Sequence, residues 1–493
     1  MRRLLRWGLL ALALLLAVMV LNAWRVSAPM PVVVAYRADL DAAAMAGRLA
    51  DALKIPTLSA TPEAPSLARF DELHALLQRQ FPRVHAELDR EVVAGASLLY
   101  RWRGRGRCPA LLLAAHQDVV PVEPGTEALW THPPFAGVVA DGAVWGRGAI
   151  DDKSALMAIL EAVEVLLARS FQPDCDVWLA FGHDEEISGL QGARAIATLL
   201  QERGVQLAYV LDEGGAITLG AIPGTNKPLA TIGVAEKGYV SVRLIARDGG
   251  GHSSMPPRRT AIGRLARAVA RLEAHRPDAE FSQVQRELLR RIAAHVDPLQ
   301  RVVLANLWIT APLVERLLSA QPASDATQRT TTAPTLLRAG IKDNVLAQQA
   351  EAVVNFRVRL GDSIDGVLAH VRTTIDDADI EIAVEDGFRS EPSAVSSWED
   401  VAFLRIERAL RRVSPENDLV VAPYVTSGGT DARHYAALTP RLYRFMPVML
   451  TPELLASFHG NNERIPIDEY VRMVRFYLVL LQPEGAVEPQ RQS

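Results

Sequence analysis

The stretch from Val177 to Gly189, VWLAFGHDEEISG, decides the fold. Its apolar first section, Val177 to Phe181, has the composition of a buried strand, and a helix-like segment from Ala193 to Gln201 follows. Glu185 and Glu186 therefore lie where a strand passes into a helix, which in open α/β sheets is the edge that binds ligands. Adjacent side chains diverge, so one carboxylate can hold a metal while the other takes a proton from water. Taken alone, such a loop is more often a plain solvated acidic loop.

The same setting recurs elsewhere in the chain. The buried-strand run Ala110 to Ala115 ends in His116, a potential metal ligand, with Asp118 two residues later on the same face. Another short apolar run, Leu207 to Leu211, ends in the acidic pair Asp212-Glu213. A repeated order of strand, acid and helix is typical of a parallel sheet with crossover helices, and it predicts the α/β class.

A second acidic pair, Asp151 and Asp152, follows the glycine-rich turn Trp145 to Gly148 and precedes the helical pattern Ala155 to Leu167. Capping of the helix N-terminus explains one aspartate. It does not explain why both follow a turn that brings the backbone close to another group. A carboxylate has two oxygens and can bridge two cations about 3.5 to 4 Å apart.

The hydrophobic pattern changes near Thr231. Beyond this point apolar and polar residues alternate along the predicted strands, which replace the uniformly apolar runs of buried strands. The order strand, helix, strand, strand, helix, strand predicts a small α+β unit inserted into the larger domain. A mostly helical insertion, residues 276–335, has no assigned role. The expected organisation is a membrane anchor or signal (1–28), a first catalytic-domain segment (35–232), the inserted unit (233–387) and a second catalytic-domain segment (388–485).

Composition narrows the class of protein. The chain has 493 residues, 49% of them hydrophobic, which is enough for at least two domains with buried cores. A net charge of −4 without a concentrated basic face argues against nucleic-acid binding. An exported chain could pair its two cysteines, Cys108 and Cys175, but two buried thiols are the expectation.

The N-terminal segment predicts membrane attachment. An almost unbroken apolar run, Gly8 to Leu21, follows three arginines. With the flanking Trp7 and Trp24 included, about eighteen residues at ~1.5 Å each nearly span the hydrocarbon core of a bilayer. Because the arginines favour the cytoplasmic side, the rest of the chain is expected outside the cytoplasm, as a single-pass membrane protein. The competing interpretation is a cleaved signal peptide with its site at Val26-Ser27-Ala28, which would make the protein secreted.

Taken together, the motifs resemble those of the M20 metallopeptidase family in order and spacing, from about Asp51 to Leu481. That family includes carboxypeptidase S, aminoacylase-1 and bacterial glutamate carboxypeptidase. The motifs are His116-Gln117-Asp118, GRGAIDDK from Gly146 to Lys153, Asp184-Glu185-Glu186, Asp212-Glu213-Gly214, Gly251-His252-Ser253 and His459-Gly460. Similarity is greatest to the branch of carboxypeptidase S and N-fatty-acyl-amino-acid synthase/hydrolase, through GHDEEISG (182–189), VAEKG (234–238) and GHSS (251–254).

The resemblance implies a zinc-hydrolase catalytic domain with a mostly parallel sheet flanked by helices, and two Zn²⁺ per subunit. The implied metal ligands are His116, Asp151 as the bridge, Glu186, Glu213 (or Asp212) and His459. Only one of Asp212 and Glu213 can face the metals, because neighbours on a strand point opposite ways. Asp118 is the implied partner that orients His116, and Glu185 is the implied general base.

The resemblance also makes the inserted α+β unit a lid and a surface for homodimer formation. The residue matching His252 would stabilise the oxyanion in the partner subunit's site, Arg357 and Asn344 would bind a substrate carboxylate, and Gly429 would line the pocket. Substrates would be peptides or N-acyl amino acids with a free carboxylate. The apolar-rich lid helices and the membrane anchor slightly favour lipid-derived acyl groups. The alternative is a catalytically silent member of the family that binds a ligand or partner.

Overall fold

The structure is a computed structural model that describes residues 2–26, 33–59, 67–221, 225, 227–414 and 419–483. Of the expected cleavage motif, Ser27 and Ala28 lie outside these ranges. The α-helices of the described residues are α1 Arg2–Arg25, α2 Ala42–Leu53, α3 Leu67–Gln80, α4 Pro82–Glu87, α5 Lys153–Ala168, α6 Ala193–Glu202, α7 Ala261–Ala274, α8 Gln283–Ala293, α9 Pro298–Leu304, α10 Leu307–Leu318, α11 Pro322–Gln328, α12 Ile364–Ile375, α13 Val401–Val413, α14 Pro452–Ser457 and α15 Ile467–Leu481. The strands are β1 Asp89–Val93, β2 Ser97–Trp102, β3 Ala110–His116, β4 Val138–Ala140, β5 Ala143–Trp145, β6 Val177–Gly182, β7 Leu207–Asp212, β8 Ile217–Thr218, β9 Leu229–Glu236, β10 Gly238–Arg247, β11 Gly251–His252, β12 Thr331–Ala339, β13 Val345–Leu346, β14 Gln349–Val358, β15 Ile380–Val384, β16 Val420–Thr426, β17 Leu442–Arg444, β18 Met449–Leu450 and β19 Arg464–Pro466.

The large sheet has ten strands in the order β1-β2-β6-β3-β7-β17-β9-β8-β18, with β16 paired to β9. Its centre, β6-β3-β7-β17, is parallel. The pairs β1-β2, β2-β6, β17-β9 and β8-β9 are antiparallel. The sheet is therefore mixed, and the expectation of a mostly parallel sheet describes its centre better than its flanks.

Helices cover both faces of this sheet. All seven residues of β3 are buried, because a central strand between two helical layers has no solvated face. Leu111 and Leu113 point into the core formed with α2, α5, α13 and α15. Leu112 and Ala114 point into the core on the other face, formed with α6. This arrangement is the expected α/β architecture, and it fixes which strand ends can carry functional groups.

A second, smaller sheet is antiparallel, in the order β12-β14-β10-β15. Helices α7 and α12 pack on it around their own hydrophobic core, whose residues run from Val240 to Ile380. In the order strand, helix, strand, strand, helix, strand, the sequence pattern places the second strand at Asn344 to Leu346. This prediction is wrong for the small sheet, since β13 pairs with β11 instead. The missing strand is β12, which lies largely inside the segment that was expected to be a helical insertion.

The rest of that insertion is helical, as expected, and comprises α8 to α11. Ile292 and Val296 of this region are buried against Leu229, Val420 and Ala422, which belong to β9 and β16. The helices therefore pack on the far flank of the large sheet, away from β1.

The expectation of two buried thiols is wrong. Cys108 and Cys175 form a disulfide with a Cα–Cα distance of 5.4 Å. Cys108 precedes β3 and Cys175 precedes β6, and these strands are parallel neighbours. Their starts therefore lie side by side, which the spacing of 67 residues in sequence does not reveal.

Candidate metal centre

Three neighbouring strands deliver polar side chains to one edge of the large sheet. Strands β6, β3 and β7 are adjacent and parallel, so their carboxyl ends meet. His116 ends β3, Glu185 and Glu186 follow β6, and Glu213 follows β7. Convergence at the carboxyl edge is the geometry that the sequence pattern predicted.

Two loops complete the cluster from outside the sheet. Asp151 lies in the turn between β5 and α5, and His459 lies in the loop between α14 and β19. Strands β5 and β19 pair antiparallel, with Arg464 opposite Trp145. This pairing holds the two loops together, so Asp151 and His459, which are 308 positions apart in sequence, make contact.

The five side chains form two groups that share Asp151. Oδ1 of Asp151 lies 2.9 Å from Nε2 of His116, which is 3.7 Å from Oε1 of Glu213. Oδ2 of Asp151 lies 2.7 Å from Nε2 of His459, which is 3.4 Å from Oε2 of Glu186. Within each group the potential ligand atoms all lie within 4.8 Å of one another. One carboxylate therefore presents an oxygen to each of two potential cation sites.

The chemistry of the cluster fits metal ions. Burial raises the pKa of Glu186 and Glu213, and each also feels the charge of Asp151. Oε1 of Glu186 is buried without a hydrogen-bond partner among the described residues. Buried carboxylates with free oxygens are costly unless a cation neutralises them. Imidazole nitrogens and carboxylate oxygens are ligands that suit zinc.

The choice between Asp212 and Glu213 follows from their hydrogen bonds. Asp212 uses one carboxylate oxygen to accept from the Glu213 backbone N–H at 3.0 Å and the other to accept from the Ala432 N–H at 2.6 Å. Both oxygens are thus engaged with the backbone. Glu213 instead lies in the group with His116 and Asp151. The geometry favours Glu213 as the ligand.

Asp118 contacts more than the histidine it was expected to orient. Nδ1 of His116 is 3.0 Å from the backbone carbonyl of Asp118 and 3.4 Å from its carboxylate. The carboxylate accepts hydrogen bonds from the backbone N–H groups of Glu185 and Glu186, at 3.2 and 3.1 Å. Ser59 donates to it as well. Asp118 therefore fixes the acidic turn and the histidine together.

Glu185 lies beside the two groups without belonging to either. Withdrawal from water raises its pKa well above the ordinary value, and the charges of Asp431 and Glu186 act in the same direction. A carboxylate with a raised pKa is a better proton acceptor near neutral pH. The position and the electrostatics of Glu185 suit a general base.

Glu463 supports the site but was not identified from the sequence. It is fully buried and accepts hydrogen bonds from the backbone N–H groups of Gly148, Ile150 and Asp151. Arg147 donates to the same carboxylate at 2.6 Å. Glu463 therefore holds the turn that positions Asp151. No local motif marks it, because its partners lie more than 300 positions earlier.

Three of the expected substrate residues, Arg357, Asn344 and His252, lie in two places. Arg357 on β14 stacks over Tyr239, with 4.7 Å from its guanidinium carbon to the ring centroid. Asn344 is exposed, and its carbonyl accepts from the Ser253 N–H at 3.2 Å beside His252. Among the contacts of the described residues, none joins His252 to the five-residue cluster. This chain alone does not bring all the expected residues together.

Arg433 is a second arginine that the sequence did not single out. It stacks over Phe388, with 4.3 Å to the centroid, and its Nε has no hydrogen-bond partner within the described ranges. The rings of Tyr239 and Phe388, over which Arg357 and Arg433 lie, are neighbours, with their centroids 5.7 Å apart. Burial lowers the pKa of Arg357, and the charge of Arg433 lowers it further. A Cβ on Gly429 would collide with Nη1 of Arg433, so glycine makes room for this side chain.

His434 gives the site a pH-dependent stability. Its Nε2 donates to the Ser188 carbonyl at 2.9 Å and so holds the turn after Glu186. Burial, aided by the charge of Arg433, lowers its pKa from 6.5 to about 4. Between these two pH values His434 is protonated in the unfolded chain but not in the folded chain. The free energy of unfolding therefore falls as the pH falls through this window.

We expect His434→Gln, which keeps a donor but does not titrate, to lose less stability than the parent between pH 6.5 and about 4. Urea midpoints measured across this range test it. His275→Gln, at an exposed site, is the control and should follow the parent. A parental pH dependence in His434→Gln would contradict the assignment.

The chain is similar to known proteins over most of its length. The sequence profile of Peptidase family M20/M25/M40 matches residues 112–482. The chain is 40% identical over 438 residues to the N-fatty-acyl-amino acid synthase/hydrolase PM20D1.1 of Danio rerio, covering 87% of this chain and 84% of that protein. It is 30% identical over 478 residues to carboxypeptidase S of Saccharomyces cerevisiae, covering 87% and 82%. The crystal structure of the M20 family metallo-carboxypeptidase Sso-CP2 from Sulfolobus solfataricus has the same fold, with a TM-score of 0.66 at 18% identity, covering 89% of this chain and 98% of that one.

Proposed function

Because the chain belongs to the peptidase family M20/M25/M40, we propose that its five-residue cluster is the active centre of a di-zinc amidohydrolase. The chain is a metallopeptidase-type enzyme that hydrolyses or forms the amide of N-acyl amino acids or peptides. The observation that carries the di-zinc assignment is the sharing of Asp151 between two ligand groups.

In the proposed centre, His116, Glu213 and Asp151 would hold one zinc, and His459, Glu186 and Asp151 would hold the other. When bound, the ions supply Lewis acidity, which polarises the scissile carbonyl and makes a water molecule acidic enough to react near neutral pH. Glu185 accepts the proton of the attacking water at its carboxylate. It then delivers that proton to the leaving nitrogen, which departs as an amine. Asp118 keeps the Glu185 backbone in place during both steps.

The substrate's free α-carboxylate is proposed to bind Arg357, with Arg433 as a second positive charge. A planar guanidinium offers two parallel donors to a carboxylate, and stacking on Tyr239 holds its plane. Two neighbouring guanidinium groups repel each other, so an anionic ligand between them relieves that repulsion. This requirement for a terminal carboxylate is common to peptides cut at the C-terminus and to N-acyl amino acids.

We expect Arg357→Gln to lower kcat/KM on an N-acyl amino acid by about 10²-fold, the value of a lost charge-assisted contact. On the same substrate with its carboxylate converted to a carboxamide, the variant and the parent should differ little. Arg243→Gln, which removes an arginine of the same sheet paired with Glu385, is the control and should leave both rates unchanged. Equal losses on the acid and the carboxamide would exclude carboxylate binding by Arg357.

The small sheet with α7 and α12 is proposed as a lid that also forms a homodimer. Its edge strand β12 carries Leu336 and Leu337, which are 51% and 64% exposed. His252 is exposed on the same unit, which is compatible with a role in the partner subunit's site. Mixing His252→Ala chains with Glu185→Gln chains tests this arrangement. Activity restored in the mixture supports it, and a strictly additive mixture of two inactive proteins contradicts it.

Helix α1 is proposed as a retained membrane anchor, with the enzyme outside the cytoplasm. It is the one described helix long and apolar enough to span a bilayer, from Arg3 to Arg25, and no portion of its apolar window is buried. At ~1.5 Å per residue, such a helix crosses the hydrocarbon core. Attachment to a membrane favours lipid-derived acyl groups, and turnover of dipeptides without turnover of fatty-acyl amino acids would reverse that preference.

A further inference from the structure

Helix α10 has its apolar side facing solvent. The positions of α10 that are exposed fall on one stripe, spaced i, i+1, i+4, i+5, i+8 and i+9. They are Trp308, Ile309, Pro312, Leu313, Arg316 and Leu317. Trp308, Leu313 and Leu317 are 61%, 52% and 62% exposed, and Leu299 on α9 is 74% exposed. A surface helix of a soluble protein normally turns such a stripe inward.

This apolar surface, defined here as the exposed side chains of α9 and α10, adjoins the proposed anchor. Asn306, between the two helices, is completely buried. Its amide nitrogen donates to the Met19 carbonyl of α1 at 3.0 Å, and its side-chain oxygen accepts from the Asn22 amide at 2.9 Å. Trp308 donates to the same oxygen at 3.1 Å. A polar contact therefore fixes the α9–α10 junction against α1.

The position of the Asn306 contact along α1 sets the depth of the α9–α10 junction in the bilayer. Met19 lies six residues before Arg25, which ends α1, and this corresponds to about 9 Å along the helix axis. If α1 spans the bilayer up to Arg25, the α9–α10 junction lies at or below the level of the lipid headgroups. The exposed apolar side chains next to the junction, Trp308 and Ile309, then lie at the depth of the lipid in the same leaflet.

The charges around this surface match a lipid interface. Arg25, Arg286 and Arg290 line an open groove together with Trp308 and Asn22. Arginines at this level can bind phosphate groups of lipids, and tryptophan is enriched at the boundary between headgroups and hydrocarbon. Arg316, at the end of the stripe, is long enough to reach the headgroups from an embedded helix.

We propose that the α9–α10 surface inserts into the outer leaflet of the bilayer that α1 crosses. The inference rests on the proposed anchor and adds a second membrane contact to it. This contact fixes the orientation of the catalytic domain on the lipid surface. Since α8, from the same insertion, packs on β9 and β16 of the large sheet, the membrane lies on that flank of the enzyme.

Site-specific fluorescence in nanodiscs tests the proposal on the full-length chain. Both cysteines of the chain are in the disulfide, so an introduced cysteine is the sole free thiol for an environment-sensitive dye. Three positions of equal exposure are compared: Leu313→Cys on α10, Leu12→Cys on α1 and Val92→Cys on β1, at 52%, 51% and 49%. Val92 is the control, because β1 lies seven strand spacings, about 34 Å, from β16.

We expect acyl-chain nitroxide lipids to quench the dye at position 313 as strongly as at position 12, and to leave the dye at position 92 unquenched. Quenching at 12 without quenching at 313 overturns the surface while the anchor stands. A dye at position 313 that is shielded from water but not quenched also overturns insertion of the surface into lipid. In that case a second copy of the chain covers the surface. Quenching at neither position overturns the surface together with the anchor. None of these results bears on the amidohydrolase centre.

Discussion

Glu185→Gln is expected to lower kcat by about 10³-fold, within the usual range for removal of a general base, while the metal content of the protein stays unchanged. Glutamine has nearly the same shape as glutamate but cannot accept the proton of the attacking water. Glu185 lies outside both ligand groups, so its replacement leaves unchanged the atoms that are proposed to hold the ions. The variant therefore separates proton transfer from metal binding, which most substitutions in this cluster cannot do.

The measurement pairs single-turnover kinetics with metal analysis of the same sample. Glu202→Gln, at an exposed position on α6, is a control for loss of one carboxylate and should retain full activity. If Glu185→Gln keeps its turnover, the base is another residue. If it loses activity and metal together, Glu185 acts through the metal centre, and its role as an independent base is wrong.

The strands that build the centre could be predicted from the sequence because they are buried on both faces. Strands β3, β6 and β7 appear as unbroken apolar runs, and each is followed directly by histidine or acidic residues. Parallel neighbours of this kind must end at the same edge. His459 and Asp151 lie on loops, and only the resemblance to a known family connected them with the strand ends.

Features that depend on distant partners could not be predicted. Strand β12 contains Pro334 and several exposed residues, because it is an edge strand, and an edge strand lacks both the continuous apolar run and the need for every N–H donor. Glu463 and Arg433 look like ordinary charged loop residues until the fold places them beside the site. The prediction of two buried thiols is wrong for the same reason, since only the pairing of β3 with β6 brings Cys108 and Cys175 together.

Asp151 is the residue whose loss should damage the centre most, because both ligand groups depend on it. Its two oxygens face different histidines, at 2.9 and 2.7 Å. In Asp151→Asn one of these oxygens becomes an NH₂ group, which cannot bind a cation, and the remaining oxygen carries no charge. We expect the metal content to fall from two ions per chain to one or fewer, and turnover to fall by about 10³-fold or more, since metal Lewis acidity contributes several kcal/mol.

The neighbouring aspartate provides the matched control. Asp152 is also completely buried, yet it accepts from the His116 backbone N–H at 3.3 Å and belongs to neither ligand group. Asp152→Asn should therefore retain both ions. His459→Ala should retain one, because His116, Glu213 and Asp151 remain. Metal-to-protein ratios after dialysis against a weak chelator distinguish the three variants, and an Asp151→Asn protein that keeps two ions would mean that Asp151 does not bridge them.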